Sequence, residues 1–227
     1  MPVVEGPFTV LTICTGNVNR SALAAALLER WASWYLPSDL ADHVRIASAG
    51  LGAPAGARMG RRTTAISEAL GADGSAHRAQ QVTEELLRGA DLVLVASSQQ
   101  RVQVLQLVPG ALRTTFSIRE AGRIAAELAP WSTPAAVDDL RQAVAAMADN
   151  RTAAAGAEAD DIIDPQGKDD EAFLTMARQE VPALATLATA LFAMPPAEAA
   201  AYAEAVEDPS LLEGRSRSQG AAGRHGA

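Results

Sequence analysis

Hydrophobic positions along this chain follow three patterns, and their order lays out the fold. Phe8 to Ile13 (FTVLTI) is a short run of β-branched and apolar residues that ends at Cys-Thr-Gly-Asn. Ser21 and the alanine- and leucine-rich stretch Ala22 to Tyr35 come directly after that loop. This order predicts a strand, a tight loop and a helix. Val44 to Ser48 predicts a second short strand, and Arg58 to Leu70 a helix closed by Gly71, a residue that readily takes the left-handed conformation at helix ends. Asp91 to Val95 (DLVLV) is apolar without a break after its first residue, as expected of a parallel strand buried on both faces. Ser98 to Val108 predicts a helix ended by Pro109, Thr114 to Ser117 a fourth strand, and Asp169 to Phe192 a long final helix. Strands alternating with helices predict an α/β fold built on a doubly wound parallel sheet.

Two segments sit outside that rhythm. Glu120 to Asp160 is alanine-rich and helix-prone but interrupted by Pro130, Pro134 and Gly156, which marks an inserted helical excursion. Glu213 to Ala227 (EGRSRSQGAAGRHGA) holds almost no large apolar residue and is expected to be disordered. At 227 residues and 48% hydrophobic content the chain suffices for one sizeable core. The expected organisation is a single domain over 1–194, carrying the insertion at about 120–160, and a C-terminal extension over 195–227.

Composition removes several classes of function. The longest apolar stretches, such as Ala22 to Leu28, fall well short of the roughly 20 residues that cross a bilayer. Met1 to Gly6 carries no basic region ahead of an apolar one, so no secretory signal is visible and the cytoplasm is the expected compartment. A single cysteine forbids an internal disulfide. The net charge of -8 argues against sequence-independent nucleic-acid binding, which needs a basic surface to displace counterions. An anionic substrate therefore requires a local positive site. Arginine supplies nearly all the positive charge, Lys168 being the only lysine, and with the abundant alanine this reads as the coding bias of a GC-rich genome.

That positive site is legible between the first strand and the first helix, in Cys14-Thr15-Gly16-Asn17-Val18-Asn19-Arg20-Ser21. Successive backbone N–H groups in a glycine-containing loop can point at one anion, and the start of a helix adds unpaired donors with partial positive charge. Arg20, six places after Cys14, can close the ring with two parallel hydrogen bonds to phosphate oxygens. The same surroundings favour thiolate over thiol at Cys14. A thiolate at the bottom of such a cradle faces phosphorus in line with the leaving oxygen, which suits covalent phosphoryl transfer through a phosphocysteine. Ser21 is placed to donate to the sulfur and Asn17 to hold the loop in shape. Against this stands the ordinary fate of a cysteine ending an apolar strand, which is to be a buried small hydrophobe.

The loop resembles the N-terminal signature of low-molecular-weight protein tyrosine phosphatases, C-x-G-N-x-C-R-S, departing from it at Asn19 alone. The resemblance, to bacterial members of actinobacterial type, continues in order through Ser48-Ala49-Gly50, His77-Arg78, Val82-Thr83, Asp91 to Val95 and Asp164-Pro165. It implies a three-layer α/β/α fold of Rossmann-like form with a four-stranded parallel sheet, a mechanism without metal or cofactor, and a second catalytic loop carrying Asp-Pro. Asp164 becomes the candidate general acid, protonating the leaving oxygen and then activating water. Asp161 is a candidate substitute or helper, although Asp160, Asp161 and Asp164 also read as a solvated acidic loop. His77 resembles the histidine that braces the phosphate loop through its asparagine, here Asn17, and Ser48 is a second candidate for loop support.

Three departures bear on substrate. Asn19 stands where many members have a second cysteine that shields the nucleophile, which leaves Cys14 open to peroxide. Gln166 stands where an aromatic side chain commonly lines the cleft, and Ser97 where an acidic residue often follows the third strand. The insertion is expected to form a helical cap near the cleft that narrows substrate choice. The resulting expectation is a protein tyrosine phosphatase acting on a phosphotyrosine-containing protein, such as a bacterial tyrosine kinase, with no nucleic-acid or membrane partner. The alternatives are a phosphatase of a small phosphorylated metabolite, an arsenate reductase using an external thiol, and a phosphate-binding module without turnover.

Overall fold

In the computed structural model, which describes residues 6–151 and 159–213, four strands form one sheet: β1 (Phe8–Cys14), β2 (Val44–Gly50), β3 (Leu92–Val95) and β4 (Thr115–Ser117). All neighbours are parallel and the order is β2-β1-β3-β4. The chain leaves β1 on one side for β2 and returns on the other for β3. This puts a topological switch at the C-terminal end of β1, the place where open α/β sheets hold ligands. Cys14 is the last residue of that strand.

Alternation along β1 splits the core into two layers. Phe8, Val10 and Cys14 face a cluster shared with α1 (Arg20–Tyr35), α3 (Arg61–Ala69), α6 (Ile118–Glu127), α7 (Val137–Asp149) and α8 (Asp170–Leu191). Leu11 and Ile13 face a smaller cluster with Leu87 of α4 (Glu84–Arg88) and Val104 of α5 (Ser98–Leu107). The result is the expected three-layer α/β/α arrangement. The short α2 (Ser38–Ala41) leads into β2.

Three features differ from the expected organisation. The stretch read as an excursion is two packed helices among the described residues, residues 152–158 including Gly156 lying outside them. The first, α6, starts directly after β4 under a capping box in which Ser117 and Glu120 satisfy each other's backbone donors, and buries Ile118, Ala121, Ile124 and Ala125. The second, α7, does not cap the cleft. Its apolar stripe of Leu140, Val144 and Met147 is drawn into the core, and Arg141 ties it to Asp91 and to the Gly6 carbonyl at the N-terminal end of β1, opposite Cys14.

The core also runs past residue 194. Helix α9 (Pro196–Ala205) lays Tyr202 edge-on against fully buried Trp31, with ring centroids 4.8 Å apart, and Val206 and Leu211 are buried beyond it. The tail expected to be disordered lies, from residue 214 on, outside the described residues. No helix among the described residues is long and apolar enough to cross a membrane.

Candidate active site

The eight-residue loop from Cys14 to Ser21 wraps the sulfur in hydrogen bonds. Cys14 Sγ is 3.0 Å from Ser21 Oγ and accepts from the Asn17 N–H at 3.2 Å. Asn17 stands at φ +52°, a left-handed conformation that asparagine tolerates better than most residues. Its side chain donates to Ser21 Oγ at 3.0 Å and accepts from the Gln80 N–H at 2.9 Å. His77 Nε2 is 2.7 Å from the Asn17 carbonyl. The structure brings His77 to the main chain of Asn17.

Ser48 enters through its backbone. Its carbonyl accepts from Gln80 Nε2 at 2.9 Å, so it steadies the residue that steadies Asn17. Two residues on, Gly50 ends β2 with no room for a side chain, since a Cβ there would lie 2.6 Å from the Thr15 carbonyl oxygen. That close approach gives the Ser-Ala-Gly run its physical sense. Thr15 is held from the other layer by Gln100, whose Nε2 donates to Thr15 Oγ1 at 3.2 Å.

Arg20 and Asp164 meet across the cleft, with Nη2 2.7 Å from Oδ2. Arg20 is buried at 5% side-chain exposure and also donates from Nη1 to the Ile162 carbonyl, whereas Asp164 is half exposed. Asp164 and Gln166 line a cleft of about 240 Å³ together with Cys14, Val18, Asn19 and Arg20. Asn19, the first departure from the signature, bonds to Gln166, the second, with Nδ2 to Oε1 at 3.0 Å. Ser97, the third, caps α5 by accepting from the Gln100 N–H.

The acid loop is anchored at its root. Asp161 accepts from the Ser98 N–H at 2.6 Å, and Arg119 of α6 donates to the Asp161 carbonyl, so Asp161 is turned to structural use and away from the cleft. Arg123, also of α6, pairs with Asp160. The Ile162 N–H joins the Ala96 carbonyl after β3, and the Ile163 N–H is taken by Gln179 of α8. Nothing in the sequence singles out Gln80, Gln100, Gln179 or Arg119. Their side chains carry no chemistry that would mark them, and only the fold brings them to the loops.

Among the described residues no cluster of His, Cys, Asp or Glu has the arrangement of a metal site. One buried acidic group lies close by. Burial pushes the Glu180 carboxyl of α8 well above the usual carboxylate range, against the opposing pull of the Arg20 guanidinium.

Comparison with known proteins agrees with this geometry. Residues 9–120 match the family model of low molecular weight phosphotyrosine protein phosphatases, a span that holds the phosphate loop and stops short of Asp164. The probable low molecular weight protein-tyrosine-phosphatase EpsP of Ralstonia nicotianae is 35% identical over 112 residues, 49% of this chain and 71% of the relative. A protein-arginine-phosphatase of Geobacillus stearothermophilus is 32% identical over 114 residues, 50% of this chain and 71% of the relative. In overall fold the chain resembles the Erwinia amylovora tyrosine phosphatase amsI, with a TM-score of 0.57 at 21% identity, covering 83% of this chain and 95% of that one. With the loop, the sheet and these relatives in agreement, the chain belongs to the low-molecular-weight phosphotyrosine protein phosphatase family.

Proposed function

We propose that this chain hydrolyses phosphotyrosine in a protein through a phosphocysteine on Cys14. The observation that carries the reading is the sulfur itself. It ends β1 at the base of the cleft, 3.0 Å from the Ser21 hydroxyl, with Arg20 and Asp164 lining the same cleft. A buried structural cysteine would need none of these neighbours.

The phosphate loop and the Arg20 guanidinium bind the dianion, in competition with Asp164 for Arg20. The Cys14 thiolate attacks phosphorus, an S–P bond forms, and the ester P–O bond breaks with its electron pair leaving on oxygen. Asp164 gives that oxygen a proton. In the second half-reaction the Asp164 carboxylate takes a proton from water, the water oxygen bonds to phosphorus, and the S–P bond breaks to return the thiolate. Ser21 Oγ donates to the departing sulfur. Thr15, Gly16, Val18 and Asn19 complete the loop around the phosphoryl group.

The partner is then a phosphotyrosine-containing protein, such as a bacterial tyrosine kinase. A second reading, hydrolysis of a small polar phosphoester or of phosphoarginine, is favoured by one feature: an amide at Gln166 in the cleft wall in place of a ring. Phosphate release from phosphotyrosyl peptide, phosphoarginyl peptide and sugar phosphates, with chelator present, separates the readings. Turnover of the phosphotyrosyl peptide with the highest kcat/KM supports the first. No turnover of any of them by folded protein removes the phosphatase assignment.

A further inference from the structure

A second groove opens beside the catalytic cleft, and nothing in the chemistry above uses it. It encloses about 270 Å³ and is lined by Arg61, Arg62 and Ala65 of α3, by Asp170 at the start of α8, and by Leu212. The chain on either side of the two arginines touches the phosphate loop. The Gly60 N–H donates to the Val18 carbonyl at 2.9 Å, and Thr63 Oγ1 donates to Asn19 Oδ1 at 2.8 Å. Val18 and Asn19 line the catalytic cleft, so the start of α3 forms part of its border. Arg62 also reaches the acid loop, where its Nη1 donates to the carbonyl of Lys168, two residues past Gln166 in the cleft wall.

The charges here do not cancel. The neighbouring carboxylates are engaged, Asp170 by Arg62 Nε at 2.5 Å and Asp169 by the Ala172 N–H that it caps, and the Arg62 guanidinium stands over the Phe173 ring. Arg58, Arg61 and Lys168 are exposed, and none of the three makes an ion pair among the described residues. Exposed cations without partners add little to a fold. In a chain of net charge -8 they form a local positive field at the border of the site, and such a field draws and selects anionic partners.

We propose that this groove is a docking subsite for the substrate protein, taking an aspartate or glutamate side chain from the segment that flanks the phosphotyrosine. Arg61 receives the carboxylate with two parallel N–H donors, Arg62 adds a second positive group, and Ala65 and Leu212 give the apolar stem a surface. Phosphotyrosine seated in the cleft tethers the flanking segment, so an exposed ion pair that is weak alone gains effect. The inference rests on the chain being a protein tyrosine phosphatase, and it narrows the substrates to phosphotyrosines with acidic residues close by.

The test is steady-state turnover by the full chain of three phosphotyrosyl peptides of equal length, flanked by glutamates, glutamines or lysines, in wild type, Arg61→Gln and Arg61→Glu. The readout is the ratio of kcat/KM between peptides within each protein, which does not depend on how fast the chemistry itself runs. In wild type the glutamate peptide is expected to exceed the glutamine peptide about fivefold, through KM, and to lose that lead in molar salt, where charges are screened beyond about 3 Å. Arg61→Gln should bring these two peptides level, and Arg61→Glu should place the lysine peptide first. Equal kcat/KM for the glutamate and glutamine peptides in wild type, or a glutamate preference that survives Arg61→Glu, overturns the proposal. Should the charge reversal fail to fold, Arg61→Gln decides, since a preference that it leaves intact refutes the role of Arg61. Turnover of para-nitrophenyl phosphate, which is too small to span to the groove, is the separate control: if wild type does not hydrolyse it, the phosphatase reading itself fails.

Discussion

Asn19 Nδ2 donates to Gln166 Oε1 at 3.0 Å, joining the phosphate loop to the acid loop through two of the side chains in which this chain departs from the expected pattern. The bond is seated firmly. Asn19 is buried, its Oδ1 accepts from Thr63 Oγ1 at 2.8 Å, and Gly60 leaves room for it, since a Cβ there would come within 2.5 Å of that oxygen. The two departures thus act as one contact that sets the acid loop over the cleft.

A double-mutant cycle measures that contact. Gln166→Ala leaves the Asn19 amide unpaired, a cost of about 1 kcal/mol, and is expected to lower kcat on a phosphotyrosyl peptide about fivefold, while Asn19→Ala also frees the Thr63 hydroxyl and should cost at least as much. The double variant should be little worse than Asn19→Ala alone, because the bond to Gln166 is already broken. Multiplying losses would show that the two side chains act independently.

Asp164→Asn separates acid catalysis from phosphate binding. A general acid contributes roughly 10²- to 10⁴-fold, so turnover of a phosphotyrosyl peptide should fall in that range, and turnover of para-nitrophenyl phosphate, whose leaving group needs little protonation, by far less. Phosphate binding should hold or tighten, since Arg20 loses a competing carboxylate. Equal losses on both substrates in steady-state assays would remove Asp164 from the acid role.

Much of the fold and of the site is legible in the amino-acid sequence. The run FTVLTI, the loop after it and the buried DLVLV strand have patterns that permit few alternatives, so the sheet, Cys14 and Arg20 emerge together, whereas Asp164 is reached only through the family resemblance. The insertion is harder to read. Ala121, Ala125 and Ala143 are too small to announce a buried face in an alanine-rich chain, and only packing shows α6 to be a core helix and α7 to sit at the far end of the sheet. Glu180 is invisible for the opposite reason, since a lone glutamate in a helical sequence reads as solvated.

Stability should carry the mark of Glu180 as pH changes. Its folded-state pKa is raised by burial, so the folded chain retains a proton that the unfolded chain releases above about its ordinary value of 4.5. Stability from this group is complete below that pH and declines as pH rises toward the folded pKa. Glu180→Gln, which cannot ionise, should therefore match wild type near pH 4 in chemical unfolding and exceed it as the pH rises above that. A constant difference across that range would contradict the burial account.

Truncation after Met194 tests how far the domain extends. It would strip Tyr202 from Trp31 and remove Val206 and Leu211 from the core, each buried aliphatic side chain being worth about 1.5 to 3 kcal/mol. The shortened chain should unfold several degrees or more below the full one in a thermal scan. An unchanged midpoint would show that the residues after 194 are dispensable.

The central claim is that the phosphoryl group passes through Cys14, and acid-quenched turnover of a phosphotyrosyl peptide followed by mass spectrometry of proteolytic fragments tests it directly. The predicted result is a phosphorylated fragment containing Cys14 in the wild type, with no turnover in Cys14→Ser under the same metal-chelated conditions. Phosphate release continuing in a folded Cys14→Ser variant, or a phosphoryl group found on another residue, would contradict the account.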